Sequence, residues 1–138
     1  DPGNLGTIIR TLDCSGIKDL ILSEGTVDLY NPKVVRSTMG AIFRVNIKKS
    51  INLKEYLLDL KNKGYKIIVT DLLAEKYYYD LDYKDKMTIV IGNESNGVSD
   101  DIKSIADIKV KIPMLGRTES LNAGVAASLI AYERVRNM

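Results

Sequence analysis

Apolar residues in this 138-residue chain recur at two spacings, and the spacing switches repeatedly along its length. Leu5, Ile8, Ile9 and Leu12 follow i, i+3, i+4, i+7 and predict one helical face, ended by Gly16. Asp19 to Leu22, with Ile17 before it, reads as a short buried strand. Asn31-Pro32 signals a helix start, with Pro32 suited to the first turn, and this helix should run to about Met39, where Gly40 interrupts it. Phe43 to Ile47 alternates apolar and polar and predicts a strand. Asn52 caps a helix in which Leu53, Tyr56, Leu57 and Leu60 share a face, and Gly64 closes it. Lys66 to Thr70 is a further strand, built on Ile67, Ile68 and Val69. Residues 75–86 are tyrosine-rich and charged, an exposed connection with room for a short strand. Thr88 to Ile91 is an apolar strand that runs into Gly92-Asn93-Glu94-Ser95-Asn96-Gly97. Ser99-Asp100-Asp101 has the residues of a helix N-terminus. A strand at 108–112 and a helix from about 122 to 136 complete the chain. Strands alternating with helices predict one α/β domain with a mostly parallel sheet flanked by helices.

Composition narrows the chemistry. Hydrophobic residues make up 45% and charged residues 28%, a globular balance with enough material for one real core. No apolar run reaches the ~18 residues of a membrane span, and no signal peptide is visible, so a cytoplasmic protein without membrane contact is expected. The single Cys14 cannot form an internal disulfide, and its position predicts a small buried hydrophobe on a helix. There is no histidine, which removes His-based catalysis and His–metal sites, and one cysteine removes a thiolate zinc site. A net charge of +2 is too mild to argue nucleic-acid binding by itself. The first residues, Asp1-Pro2-Gly3-Asn4, are turn chemistry with no methionine before them. They read as the start of a fragment covering 1–138, with an earlier strand and a further domain expected outside it.

Three polar segments stand where α/β folds place their sites. Arg10 falls on the polar side of the first helix, one turn from Thr7; alone it reads as a solvated surface arginine. Residues 92–97 put glycines around one carboxylate, Glu94, directly after a buried strand; alone they read as a tight turn. The run Ile112-Pro113-Met114-Leu115-Gly116-Arg117-Thr118-Glu119-Ser120-Leu121-Asn122 joins a strand to a helix opening at Ser120 or Asn122. Neither the dinucleotide nor the phosphate-loop glycine signature occurs.

Taken in order, Asn4…Gly6…Arg10, Gly92-x-Glu94-x-x-Gly97, and Ile112-Pro113-Met114 with Ser120-Leu121-Asn122 resemble the three motifs of the SpoU (TrmH) RNA methyltransferases of the SPOUT superfamily. The resemblance spans essentially the whole chain. It implies an α/β fold with a deep C-terminal trefoil knot, S-adenosylmethionine as methyl donor without a metal, a homodimer, and transfer to a ribose 2′-hydroxyl of tRNA or rRNA. It further implies that Gly92, Ile112, Met114, Leu121 and Asn122 hold the donor, with Leu72 beside them. Arg10 becomes the catalytic residue, as base or as the group that grips a phosphate and stabilises the developing alkoxide. The second role suits a guanidinium, whose deprotonation is very costly. Asn4, Glu94 and Asn122 would orient Arg10 or the ribose; Ser120 would do the same or cap the helix. Arg10, Arg36, Arg44 and Arg117 become candidate RNA contacts, with Lys33, Lys48 and Lys49 near them. A base-directed enzyme on the same fold, a knotted RNA-binding protein without turnover, and a flavodoxin-like binding module are the rival readings. The motifs favour ribose over base, and the presence of Arg10, Glu94 and Asn122 favours turnover.

Overall fold

A computed structural model describes residues 1–26 and 28–138. Helix α1 spans Pro2–Ser15; the Asp1 carboxylate accepts from the Gly3 N–H at 2.7 Å, and Pro2 needs no partner in the first turn. The turn chemistry at Asp1–Asn4 is thus a helix cap, and Asn4 lies inside the helix rather than in a loop before it. Strand β1 is Asp19–Ser23 and helix α2 is Pro32–Ser37, capped by Asn31.

The expected strand at 43–47 is not there. Met39 and Gly40 both adopt left-handed backbone (φ 51° and 86°), which stops α2 early and starts a 3-10 turn at Ala41–Phe43. Strand β2 begins only at Asn46, whose N–H reaches the Lys18 carbonyl, and runs Asn46–Ser50 in parallel register with β1. Phe43, read as the first residue of that strand, is 87% exposed in the 3-10 turn.

Helix α3 spans Leu53–Asn62 with Asn52 as cap, and β3 spans Lys66–Thr70 as expected. Strand β4, Lys76–Tyr77, and a 3-10 turn at Tyr78–Asp80 occupy the tyrosine-rich connection. Strand β5 is Met87–Val90, α4 is Asp100–Lys103, β6 is Ile108–Lys111, and α5 is Ala123–Arg136. Every strand pairing among the described residues is parallel. Strands β1 and β2 form one pair, and the other four form a sheet ordered β4-β6-β3-β5.

Strand alternation sorts the core. Ile67 and Val69 point to one face of β3 and pack with Leu57 of α3 and Ile102 of α4. Ile68 points to the other face and packs with Val110 and with Ile130 of α5. All three β3 residues are fully buried, each worth about 1.5–3 kcal/mol of apolar transfer. A third cluster joins Leu5, Ile9 and Leu12 of α1 to Leu22, Val34 and Val45. Helix α1 lies against both α2 and α5. No described helix is long and apolar enough to cross a membrane.

Candidate active site

Asn122 is the cap of α5. Its side-chain oxygen accepts from the Gly124 and Val125 N–H groups at 2.9 and 3.2 Å, which fixes the orientation of its amide. The NH₂ group must then face away from the helix, and it donates to Asn4 Oδ1 at 2.9 Å. Asn4 is oriented in turn: with its oxygen occupied, its Nδ2 donates to Glu94 Oε1 at 2.8 Å. The same carboxylate oxygen accepts from the Ala123 N–H at 3.3 Å, where the positive end of the α5 dipole favours an anion. One directed relay therefore starts and ends at the α5 N-terminus and joins positions 4, 94 and 122.

The loop that carries Glu94 is built tightly. Asn93 Oδ1 accepts from the Ser95 and Asn96 N–H groups at 3.0 and 2.7 Å, and the Gly97 N–H returns to the Asn93 carbonyl at 3.0 Å. A side chain at Gly92 would overlap the backbone of Gly97 and Val98. That approach brings the end of β5 against the loop and leaves Glu94 exposed at its rim.

Arg10 is exposed on α1 and makes no hydrogen bond or ion pair among the described residues. It lines a cavity of about 300 Å³ with Thr7, Thr11, Cys14, Ser37 and Tyr132. A second, more open cavity of about 710 Å³ holds Asn4 and Asn122, and Thr7 and Tyr132 line both. The relay residues form no bond to Arg10 among the described residues. Cys14, expected in the core, is exposed in the Arg10 cavity; it lies off the Leu5–Ile9–Leu12 stripe.

The carboxyl ends of β3 and β6 frame the remaining candidates. Ile112, Met114 and Leu121 are half-buried, while Leu72 is 57% exposed. The backbone of residues 114–121 makes no hydrogen bond among the described residues, so its N–H and C=O groups stay open to a ligand. Ser120 is exposed and caps nothing.

The SpoU rRNA methylase family profile matches residues 1–132. The chain belongs to the SpoU rRNA methylase family. The 23S rRNA (guanosine(2553)-2′-O)-methyltransferase RlmP of Bacillus subtilis is 36% identical to it over 132 residues, 96% of this chain and 53% of the relative. An AdoMet-bound rRNA methyltransferase from Sinorhizobium meliloti superposes with a TM-score of 0.93 at 34% identity, covering 100% of this chain and 53% of that one. The A. aeolicus TrmH/SpoU tRNA modifying enzyme gives 0.89 at 37% identity, over 99% of this chain and 70% of that one. The chain spans about half the length of the curated relatives it matches.

Within this SpoU-family domain the candidate RNA contacts differ in how free their charge is. Arg44 is bound to Asp13 on α1, with its Nη2 2.9 Å from Oδ2. The hydrogen bond to Asp13 holds the guanidinium more firmly protonated, and Arg44 in turn keeps the Asp13 carboxyl below the usual range. Arg36, Arg117, Lys33, Lys48 and Lys49 are exposed, with Arg36 in the last turn of α2 and Arg117 in the 112–122 segment. Periodicity missed several residues at the site. Asn93 had a usable signal, because asparagine after a strand and before Gly97 favours a side-chain-stapled turn. Ser37, Thr11 and Tyr132 had none, since only the α1–α2–α5 packing brings them to Arg10.

Proposed function

We infer that this chain is the catalytic domain of an S-adenosylmethionine-dependent RNA ribose 2′-O-methyltransferase acting on tRNA or rRNA. The observation that carries the reading is the Asn4–Glu94–Asn122 relay next to a cavity that presents an unpaired Arg10. The names of the relatives support RNA as substrate and ribose over base as target. An RNA substrate of this kind would put the reaction in the cytoplasm.

The donor fits the residues present. The open backbone of 114–121 offers N–H and C=O groups for a nucleoside, and Ile112, Met114 and Leu121 supply partly buried apolar surface for a purine. Gly92, Asn122 and Leu72 would complete that wall. S-adenosylmethionine supplies an electrophilic methyl group on a sulfonium, so no metal or redox group is needed. As the new C–O bond forms and the methyl–sulfur bond breaks, the acceptor hydroxyl gives its proton to solvent or to a phosphate oxygen of the RNA. Arg10 is suited to hold an RNA phosphate and to stabilise the alkoxide that develops, at a gain of a few kcal/mol in a pre-organised site. Among the described residues it pairs with no carboxylate, which leaves the guanidinium free for that anion. Asn4, Glu94 and Asn122 position the ribose, and Ser120 lies close in sequence to the same end.

Two further features support the family's architecture here. Strand β6 lies between β3 and β4, so the connection 71–75 crosses the carboxyl end of β6, where Asp71 N–H meets the Val110 carbonyl at 2.8 Å. A chain leaving β6 at Ile112 past that crossing is what a C-terminal trefoil knot requires. On α5, Val125, Leu129 and Tyr132 are 48%, 38% and 47% exposed at i, i+4 and i+7. Such a stripe on an otherwise buried helix is suited to a second copy of the chain, giving a homodimer.

Arg10→Ala tests the assignment. It should leave donor affinity within about two-fold by calorimetry while methyl transfer to RNA falls by at least ~100-fold, the scale of losing one charge-stabilising donor. Undiminished turnover on a verified RNA would remove Arg10 from the mechanism.

A further inference from the structure

The tyrosine cluster beside β4 has no part in the reaction described above. Tyr77 ends the edge strand, and Lys111 on neighbouring β6 holds its ammonium 5.2 Å from the Tyr77 ring centre. Tyr79 stacks on Tyr77 with ring centres 5.1 Å apart and planes within 11°. Tyr78 meets Tyr79 edge-on at 5.2 Å. The four groups form an ordered column of one cation and three rings.

Tyr78 packs on the Ile68–Val110–Ile130 cluster, but the column's outer ring, Tyr79, is not core. Tyr79 is 45% exposed, whereas Tyr83 nearby is 8% exposed and donates its hydroxyl to the Tyr78 carbonyl. Tyr83 therefore does the packing for this segment, and Tyr79 adds little to it. Strand β4 is the last strand of its sheet, so among the described residues no further strand covers the column. Lys109 lies two residues before Lys111 on the same face of β6, adding a second cation along the edge. At its inner end, Tyr78 lines the same open cavity as Asn4 and Asn122. The column thus leads from the cavity that holds Asn4 and Asn122 to the rim of the sheet.

Stacked rings flanked by lysines hold unpaired bases whatever their sequence, because every base has a π-face and every linkage a charge. On the reading of this chain as an RNA methyltransferase, we propose that Tyr79, backed by Tyr77 and Lys111, is a stacking platform for an unpaired RNA base flanking the methylated nucleotide. Tyr79 is a binding residue here; it touches neither the donor nor the reacting hydroxyl.

The test uses the purified chain and two fluorescein-labelled probes, an oligouridylate and an oligomer of equal length with the ribose-phosphate backbone but no bases. Anisotropy gives affinity, calorimetry gives the S-adenosylmethionine affinity, and light scattering gives the molar mass. Tyr79→Leu should weaken oligouridylate binding about ten-fold, the loss of one stacked base. Binding of the base-free oligomer, donor affinity and mass should stay as in wild type, and Tyr79→Phe should bind oligouridylate normally. Wild-type affinity in Tyr79→Leu, or an equal loss on the base-free oligomer, overturns the platform. A changed mass also overturns it, by making the column a contact between copies. Methyl transfer by the wild-type chain is measured in parallel. Its absence would strike the proposed reaction alone, because the base preference is read without turnover.

Discussion

Asn122 carries two jobs through two different atoms, and substitution can separate them. Asn122→Ala removes the oxygen that accepts from Gly124 and Val125 and the NH₂ that donates to Asn4. Loss of a helix cap costs about 1 kcal/mol. Loss of the side-chain bond to Asn4 costs about 1 kcal/mol more. A domain of this size loses roughly 3–4 °C in thermal midpoint per kcal/mol, so the midpoint should fall by about 6–8 °C. Asn122→Asp keeps the capping oxygen and loses only the donor. A carboxylate at the α5 N-terminus gains a few tenths of a kcal/mol from the helix dipole and loses a similar amount to nearby Glu94. Its midpoint should therefore stay within about 2 °C of wild type. Asn4, facing an acceptor instead of a donor, can no longer keep both its bonds, and the relay to Glu94 breaks. Donor affinity by calorimetry should fall about ten-fold in both variants, which is ~1.4 kcal/mol. Two results would refute the reasoning: an Ala variant that melts with wild type, or an Asp variant that binds the donor as tightly as wild type.

Two further outcomes follow from other parts of the chain. Leu129→Glu puts a charge in the middle of the exposed α5 stripe, and light scattering should show the mass falling from two chains to one; an unchanged dimer would place the interface elsewhere. Burial pushes the Asp107 carboxyl up, but the Ile67 N–H and the Lys61 ammonium outweigh it and hold the group below the usual range. Its contribution is therefore complete above the unfolded value near ~3.9 and is lost as pH falls through the lower folded value. Asp107→Asn should flatten that acid limb in melts between about pH 5 and pH 2, and an unaltered limb would assign the acid sensitivity to other carboxylates.

The elements legible in the sequence were those whose burial is complete or one-sided. Lys66–Thr70 was readable because three successive apolar residues in a strand need both faces covered, and α3 and α5 cover them. Leu53–Asn62 was readable from its cap and its stripe. The segment 43–47 was misread because alternation over so few residues carries little information. A left-handed pair at Met39-Gly40 decided the path there, and Val45 is buried without belonging to a strand. At the site, the motif positions 4, 94 and 122 could be named in advance, but their direct bonding could not, since the contacts span 90 and 118 positions of chain. Arg10 stands in the neighbouring cavity, which shares Thr7 and Tyr132 with that of Asn4 and Asn122.

The strand order β4-β6-β3-β5 also constrains how the molecule comes into being. Strand β4 is only Lys76–Tyr77, and its pairing is with β6 alone, which is made some thirty residues later. Until β6 arrives, the middle of the sheet is a vacancy with an unpaired fragment on its far side and the exposed edge of β3 on the near one. During synthesis that edge is available to other chains, and it closes only when the last quarter of the sequence is inserted between two segments already in place. The sheet is therefore completed only by the C-terminal quarter of the chain. A chain cut before Ile108 would lose more than its final strand and helix: it would leave β4 without a partner and the rings of Tyr77 and Tyr79 without the strand that supports them.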